Sequence, residues 1–131
     1  PLDPGLELGG NSRLEGGFQA ARELLSRPKR PTAIFATNNL MAIGLMRAVA
    51  DRGLRCPEDI SVACFDDFEW ASVFRPRLTT VAQPTYEMGM KAADILFARL
   101  DSTLTGGPQE VVLSPSLIIR DSCAGPPQEE Q

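Results

Sequence analysis

The chain has 131 residues, the size of one domain, with 43% apolar and 23% charged residues, an ordinary balance for a folded core. A formal charge of -4, with the 13 basic residues scattered along the chain, argues against polyanion binding by this stretch. Three cysteines (Cys56, Cys64, Cys123) without Cys-x-x-Cys spacing, and no histidine, argue against a zinc site, a histidine base or a disulfide framework; no metal or cofactor is expected.

After a Gly/Pro-rich start, "LEL" reads as a short strand and "GGN" as a turn. In "SRLEGGFQAARELLSR", Phe18, Ala21, Leu24 and Leu25 fall at helical spacing, so a helix is expected despite Gly16 and Gly17. Ser12 is placed to cap it, with Glu15 in the capping-box position. "PTAIFATNN" reads as a buried strand, Ala33 to Ala36, whose polar end lets Asn38 or Asn39 cap the next helix. That helix, "LMAIGLMRAVADRG", stops at Gly53 and is apolar on most sides, as a helix buried on most sides must be. "RCPEDISVACFDD" is a turn followed by a strand, Ile60 to Phe65, and "FEWASVFRPRL" is a loop with the only tryptophan. "TTVAQPTYEMGMKAADILFARL" is a short strand and a helix with Met88, Ala92, Ile95 and Leu96 on one face. The run "EVVLSPSLIIRDSC" contains two strand-like pieces. Residues 1–122 read as one domain and 123–131 as a disordered tail.

Strands alternating with helices imply βαβ units and an α/β fold with a mostly parallel sheet flanked by helices. Ligands meet the carboxyl ends of the strands in such sheets, and here those ends carry Thr37, Asn38, Asn39, Asp66 and Asp67. Adjacent residues at a strand end point to opposite sides, so Asp66 and Asp67 are poorly arranged to flank one bond as a catalytic pair. A carboxylate beside an amide suits a neutral polyol or a heterocycle instead, since the acid accepts from hydroxyls while Asn38 both donates and accepts. Asp67 is expected to satisfy backbone donors in the following loop. Arg13 is a further candidate contact near the helix start, Cys64 is expected to pack as a small hydrophobe, and Trp70 either stacks on a ring or folds over the core.

The motifs PTAIFA-x-N-N, PEDISV-x-x-FDD and LTTV-x-QP, followed by "LIIRDS", resemble in order and spacing the effector-binding domain of the lactose/galactose-repressor family of bacterial transcription regulators. The resemblance runs from about Gly9 to Ser122. It implies a truncated C-terminal lobe of a periplasmic-binding-protein-like fold, with Asn38 and Asp66 on the effector and Gln83 close by at an inter-lobe crossover. Ser12 stands where such proteins often carry an aromatic that stacks on the ligand, and Asn39 stands where they usually have aspartate. The implied function is a sugar-sensing repressor rather than an enzyme. It would be cytoplasmic, away from membranes, and would reach operator DNA only through a helix-turn-helix absent from this sequence. The alternative is the solute-binding component of a sugar transporter. The missing initiator methionine agrees with a piece of a longer chain. The resemblance further implies a homodimer formed through Ile43, Met46, Arg47 and Phe74, and a helix 85–100 that has lost its usual sheet and must find a substitute on its own sheet or on a neighbouring chain.

Overall fold

The computed structural model describes residues 3–125. A four-stranded sheet has the order β1 (Ala33–Ala36), β2 (Ser61–Phe65), β3 (Thr79–Ala82) and β4 (Ser116–Ile118). The first three are parallel and β4 is antiparallel to β3, which is the expected α/β class. Helix α1 (Leu14–Leu25) packs against α2 (Asn39–Asp51), and α3 (Thr85–Leu100) follows β3.

The core lies between the α1/α2 pair and the sheet, where Phe18, Ala21, Leu25, Ala42, Leu45, Ala48, Val49, Ile60, Val62, Cys64 and Leu78 are buried together. The largely apolar surface of α2 follows from its position between α1 and the strands. Gly53 ends that helix with φ 66°, while its N–H bonds the Ala50 carbonyl and the Leu54 N–H bonds Val49, a paired closure that needs a left-handed residue. Beyond it, Asp59 accepts from the Arg55 backbone N–H at 2.8 Å and from its guanidinium, which locks the turn and holds the Asp59 carboxyl down at about 2.

The glycines that look wrong for a helix are what bring α1 and α2 together. A Cβ on Gly17 would lie 2.6 Å from the Met41 Cα, and one on Gly44 would lie 2.2 Å from the Leu14 carbonyl oxygen and 2.6 Å from the Phe18 nitrogen. Backbone cannot give way as a flexible side chain can. Gly44→Ala is therefore expected to destabilise the protein by about 1–2 kcal/mol, overpacking outweighing alanine's better helix propensity. Urea unfolding measures this, and an unchanged or higher midpoint would mean that the helices can separate freely.

Several expectations are corrected. "LEL" forms no strand: Pro4–Leu6 is a 3-10 turn capped by the Asp3 side chain, and residues 6–9 are held off from β1 by a groove of about 790 Å³. The capping box is also not formed. Arg13 is the N-cap of α1 without a side-chain bond, because Asn11 and Ser12 both adopt positive φ (51° and 54°) in the turn closed by the Arg13 N–H on the Gly10 carbonyl. Glu15 instead accepts from Gln19 at 2.7 Å and faces Arg47 at 3.8 Å. Of the two strand-like runs near the end, only Ser116–Ile118 pairs. Helix α3 has no buried residue, with Met88 45%, Leu96 56% and Phe97 62% exposed. The chain leaves the sheet at Pro84 and returns at Pro115, and the segment between brings no sheet with it, so α3 does not fold back onto its own sheet. Most of the expected disordered tail, residues 126–131, lies outside the described residues. Ala124 is still hydrogen bonded to Ser61.

Candidate functional site

The carboxyl ends of β1, β2 and β3 lie side by side. Ala36 pairs with Cys64 and Phe65 with Val81, so Asn38 and Asp66 each stand two residues beyond a paired position on neighbouring strands. At Asp66 the chain turns out of the sheet with φ 75°, a left-handed conformation that aspartate and asparagine tolerate better than most residues. Its N–H is still held by the Val81 carbonyl at 2.9 Å. Its Oδ1 accepts from Gln83 Nε2 at 2.5 Å, which joins the ends of β2 and β3 and leaves Oδ2 without a partner among the described residues.

Asn38 combines two roles. Its Oδ1 caps α2 by accepting from the Met41 N–H at 2.8 Å, so the Nδ2 amide is the part available to a ligand. Asn39 bonds the Leu40 N–H at 2.8 Å. Ser12 and Arg13 are exposed on the turn into α1, beside the N-terminal end of α2, and make no side-chain hydrogen bond to Asn38, Asp66 or Gln83. The structure thus joins Asp66 to Gln83 directly, sets Asn38 one strand away, and leaves Ser12 and Arg13 apart.

Asp67 turns the other way, as the alternation at a strand end requires, but its partners are not the loop donors expected from the sequence. Arg120 grips both carboxylate oxygens, at 2.7 and 3.0 Å, and the Thr80 hydroxyl donates to Oδ1 at 2.8 Å. The Arg120 hydrogen bonds hold the Asp67 carboxyl below the usual carboxylate range, against the opposing effect of partial burial and with help from the Thr80 hydroxyl. Arg120 also donates to the Leu78 carbonyl at 2.7 Å. It was not singled out from the sequence, although "RDS" carries the signal. Asp121 pairs with Arg77 at 2.6 Å, and the fully buried Ser122 hydroxyl donates to Val62 and accepts from Thr79. All three residues of that motif fasten the end of the chain to the sheet that presents Asp66.

The neighbours of the site follow from this arrangement. Cys64 is a core atom, and burial, reinforced by Asp66 and Asp67, pushes its thiol up to about 12, so it stays neutral. Phe68 packs edge-on against Phe74 at 6.5 Å and carries the loop down onto the core. Trp70 does not fold over the core and is 65% exposed. Met46 and Phe74 pack against the core cluster, Ile43 is half-buried, and the Arg47 guanidinium lies 4.2 Å over the Phe18 ring.

Comparison with known proteins decides the family. Residues 5–123 match the model of the periplasmic binding protein-like domain. The chain belongs to that family. It is 42% identical over 121 residues to the ribose operon repressor of Escherichia coli strain K12, an alignment that covers 92% of this chain and 36% of that protein. Among solved structures it is similar to a LacI-family transcriptional regulator from Enterococcus faecium with bound ribose (TM-score 0.77, 33% identity, 86% of this chain and 41% of that one). It is equally similar to a dimeric Lac repressor with an 11-residue C-terminal deletion (TM-score 0.77, 35% identity, 87% and 41%). The chain spans little more than a third of the length of the curated relatives it matches. It therefore matches part of these proteins, as its motifs imply, and its curated relatives are transcription repressors. Among the described residues, no helix is long and apolar enough to cross a membrane.

Proposed function

We propose that this chain forms part of the effector-sensing domain of a bacterial transcription repressor and binds a small sugar or sugar-like molecule without chemical change. The observation that carries the reading is the Asp66–Gln83 pair beside the Asn38 amide, on the carboxyl edges of three adjacent parallel strands. Asp66 accepts hydrogen bonds from ligand hydroxyls, Asn38 donates through Nδ2, and Gln83 orients the acid; Ser12 and Arg13, exposed on the α1 turn, are the outlying candidates for a further contact. The ligand acts by favouring one closure state of two lobes, and operator DNA is contacted by a helix-turn-helix outside this sequence. The matched repressors support this reading over a transporter's solute-binding component. The protein works in the cytoplasm as a dimer, with Ile43, Met46, Arg47 and Phe74 at or beside the contact between copies.

The test is titration of the whole protein with D-ribose first, then with other pentoses, hexoses and their glycosides, following heat release and operator affinity in parallel. A saturable ligand that changes operator affinity is the expected result, from a protein that sediments as a dimer. Turnover of any of these compounds, or a monomer at micromolar concentration, would overturn the corresponding part of the reading.

A further inference from the structure

At the amino end of β2, opposite the Asp66 edge, two cysteines flank one backbone pairing. The Val62 N–H donates to the Ser122 carbonyl at 2.8 Å, and the Ser122 hydroxyl donates back to the Val62 carbonyl at 2.6 Å. The Cys56 sulfur lies 3.5 Å from that same Ser122 oxygen, the carbonyl of the peptide that leads into Cys123. The Cys123 sulfur lies 3.3 Å from the Val62 oxygen. Ser61 and Ala124 hydrogen bond on either side, so Cys123 is held in place although it is exposed. Cys56 is half-covered and belongs to the rim of the core. Nothing in the sugar-binding reading uses this pair.

We propose that Cys56 and Cys123 form a reversible dithiol/disulfide site that reacts with hydrogen peroxide. Exposure selects Cys123 as the thiol that reacts first. Burial, followed by the nearness of Cys123, pushes Cys56 up to about 11, so it waits in the protonated form. The Cys123 thiolate attacks one peroxide oxygen and the O–O bond breaks. With one proton taken up, the products are a sulfenic acid on Cys123 and water. The Cys56 sulfur then attacks the Cys123 sulfur, the S–S bond forms, and the hydroxyl leaves with the Cys56 proton as a second water. The two sulfurs give up two electrons in total and the peroxide takes them. The bond ties the turn before β2 to the last described residues, closing the chain between positions 56 and 123. A ring of this length constrains the unfolded chain strongly, on the order of a thousandfold in the folding equilibrium by chain entropy. Cys64, fully buried, takes no part.

The experiment treats the reduced protein, in its whole form, with hydrogen peroxide, blocks the remaining thiols with iodoacetamide and maps the peptides by mass spectrometry. The peptides of Cys56 and Cys123 should be joined within one chain, and dithiothreitol should separate them. Cys123→Ser removes a surface thiol at little cost to the fold, and should leave Cys56 alkylatable after peroxide. Cys56→Ser should leave a sulfenic acid on Cys123 that dimedone captures. The proposal is overturned if Cys56 of the unmutated protein still alkylates fully after treatment, or if Cys123 becomes linked only to a second chain.

Discussion

Replacing Asp66 with asparagine is expected to weaken effector binding to the whole protein roughly ten- to over a hundredfold, equivalent to the 1.5–3 kcal/mol of a charge-assisted hydrogen bond lost from a buried polar ligand. Asparagine is the informative substitution because Asp66 sits at φ 75°, where alanine would add backbone strain of roughly 1 kcal/mol and confuse the result. The amide keeps the size and tolerates the left-handed turn, so only the charge and one acceptor are lost. Operator affinity without effector should be unchanged, since the substitution touches no core atom. Calorimetric titration of the two proteins with the same sugar is the measurement. An affinity within threefold of the parent, read from that titration, would remove Asp66 from the ligand's contacts.

The strands that carry the site were legible because the sequence states them twice. "AIFA" and "SVACF" are short runs of small and branched apolar residues that stop at polar ones, and the parallel register then puts Asn38 and Asp66 on one edge without further information. The helix breaks were legible for the same local reason, with Gly53 at the end of α2 a clear case. What failed needed partners far along the chain. "LEL" and "EVVL" have the composition of strands, but pairing depends on an open edge within reach; the first is held off by a groove, and the second lines a small cavity with Phe65 and Gln83 without joining the ladder. Gly16 and Gly17 look like weak points of one helix, but a Cβ on Gly16 would strike the Gly10 backbone in the turn before α1, and one on Gly17 would strike α2. The sequence points Asp67 to the loop beside it because nothing local indicates an arginine that lies 53 residues further on.

That long-range pair should dominate the stability of the site's support. The Arg120 and Asp67 side chains are only 15% and 26% exposed, so their contact is not the freely solvated kind worth at most about 1 kcal/mol. Arg120→Ala leaves a half-buried carboxylate with only the Thr80 hydroxyl and takes a donor from the Leu78 carbonyl, and a loss of about 2–3 kcal/mol is expected in urea unfolding at pH 7. Lysine should restore only part of it, because a single ammonium cannot bridge both carboxylate oxygens in the plane that the guanidinium occupies. The pH dependence follows from the lowered Asp67 pKa. The contribution is fully present above the unfolded carboxylate value of about 3.9 and disappears as pH falls through the lower folded value. Asp67→Asn should therefore differ most from the parent at neutral pH, and the gap between their midpoints should narrow progressively below about pH 4. Asp59 and Asp121, whose carboxyls are also held low by arginines, are present in both proteins and drop out of the difference. A gap that stays constant down to pH 2 would mean that Arg120 stabilises through packing of its stem and its bond to Leu78, with the carboxylate as a bystander. Effector affinity is the second readout: Arg120→Ala should change it less than Asp66→Asn does, because Arg120 holds the edge on which Asp66 stands and has no bond to Asp66 itself.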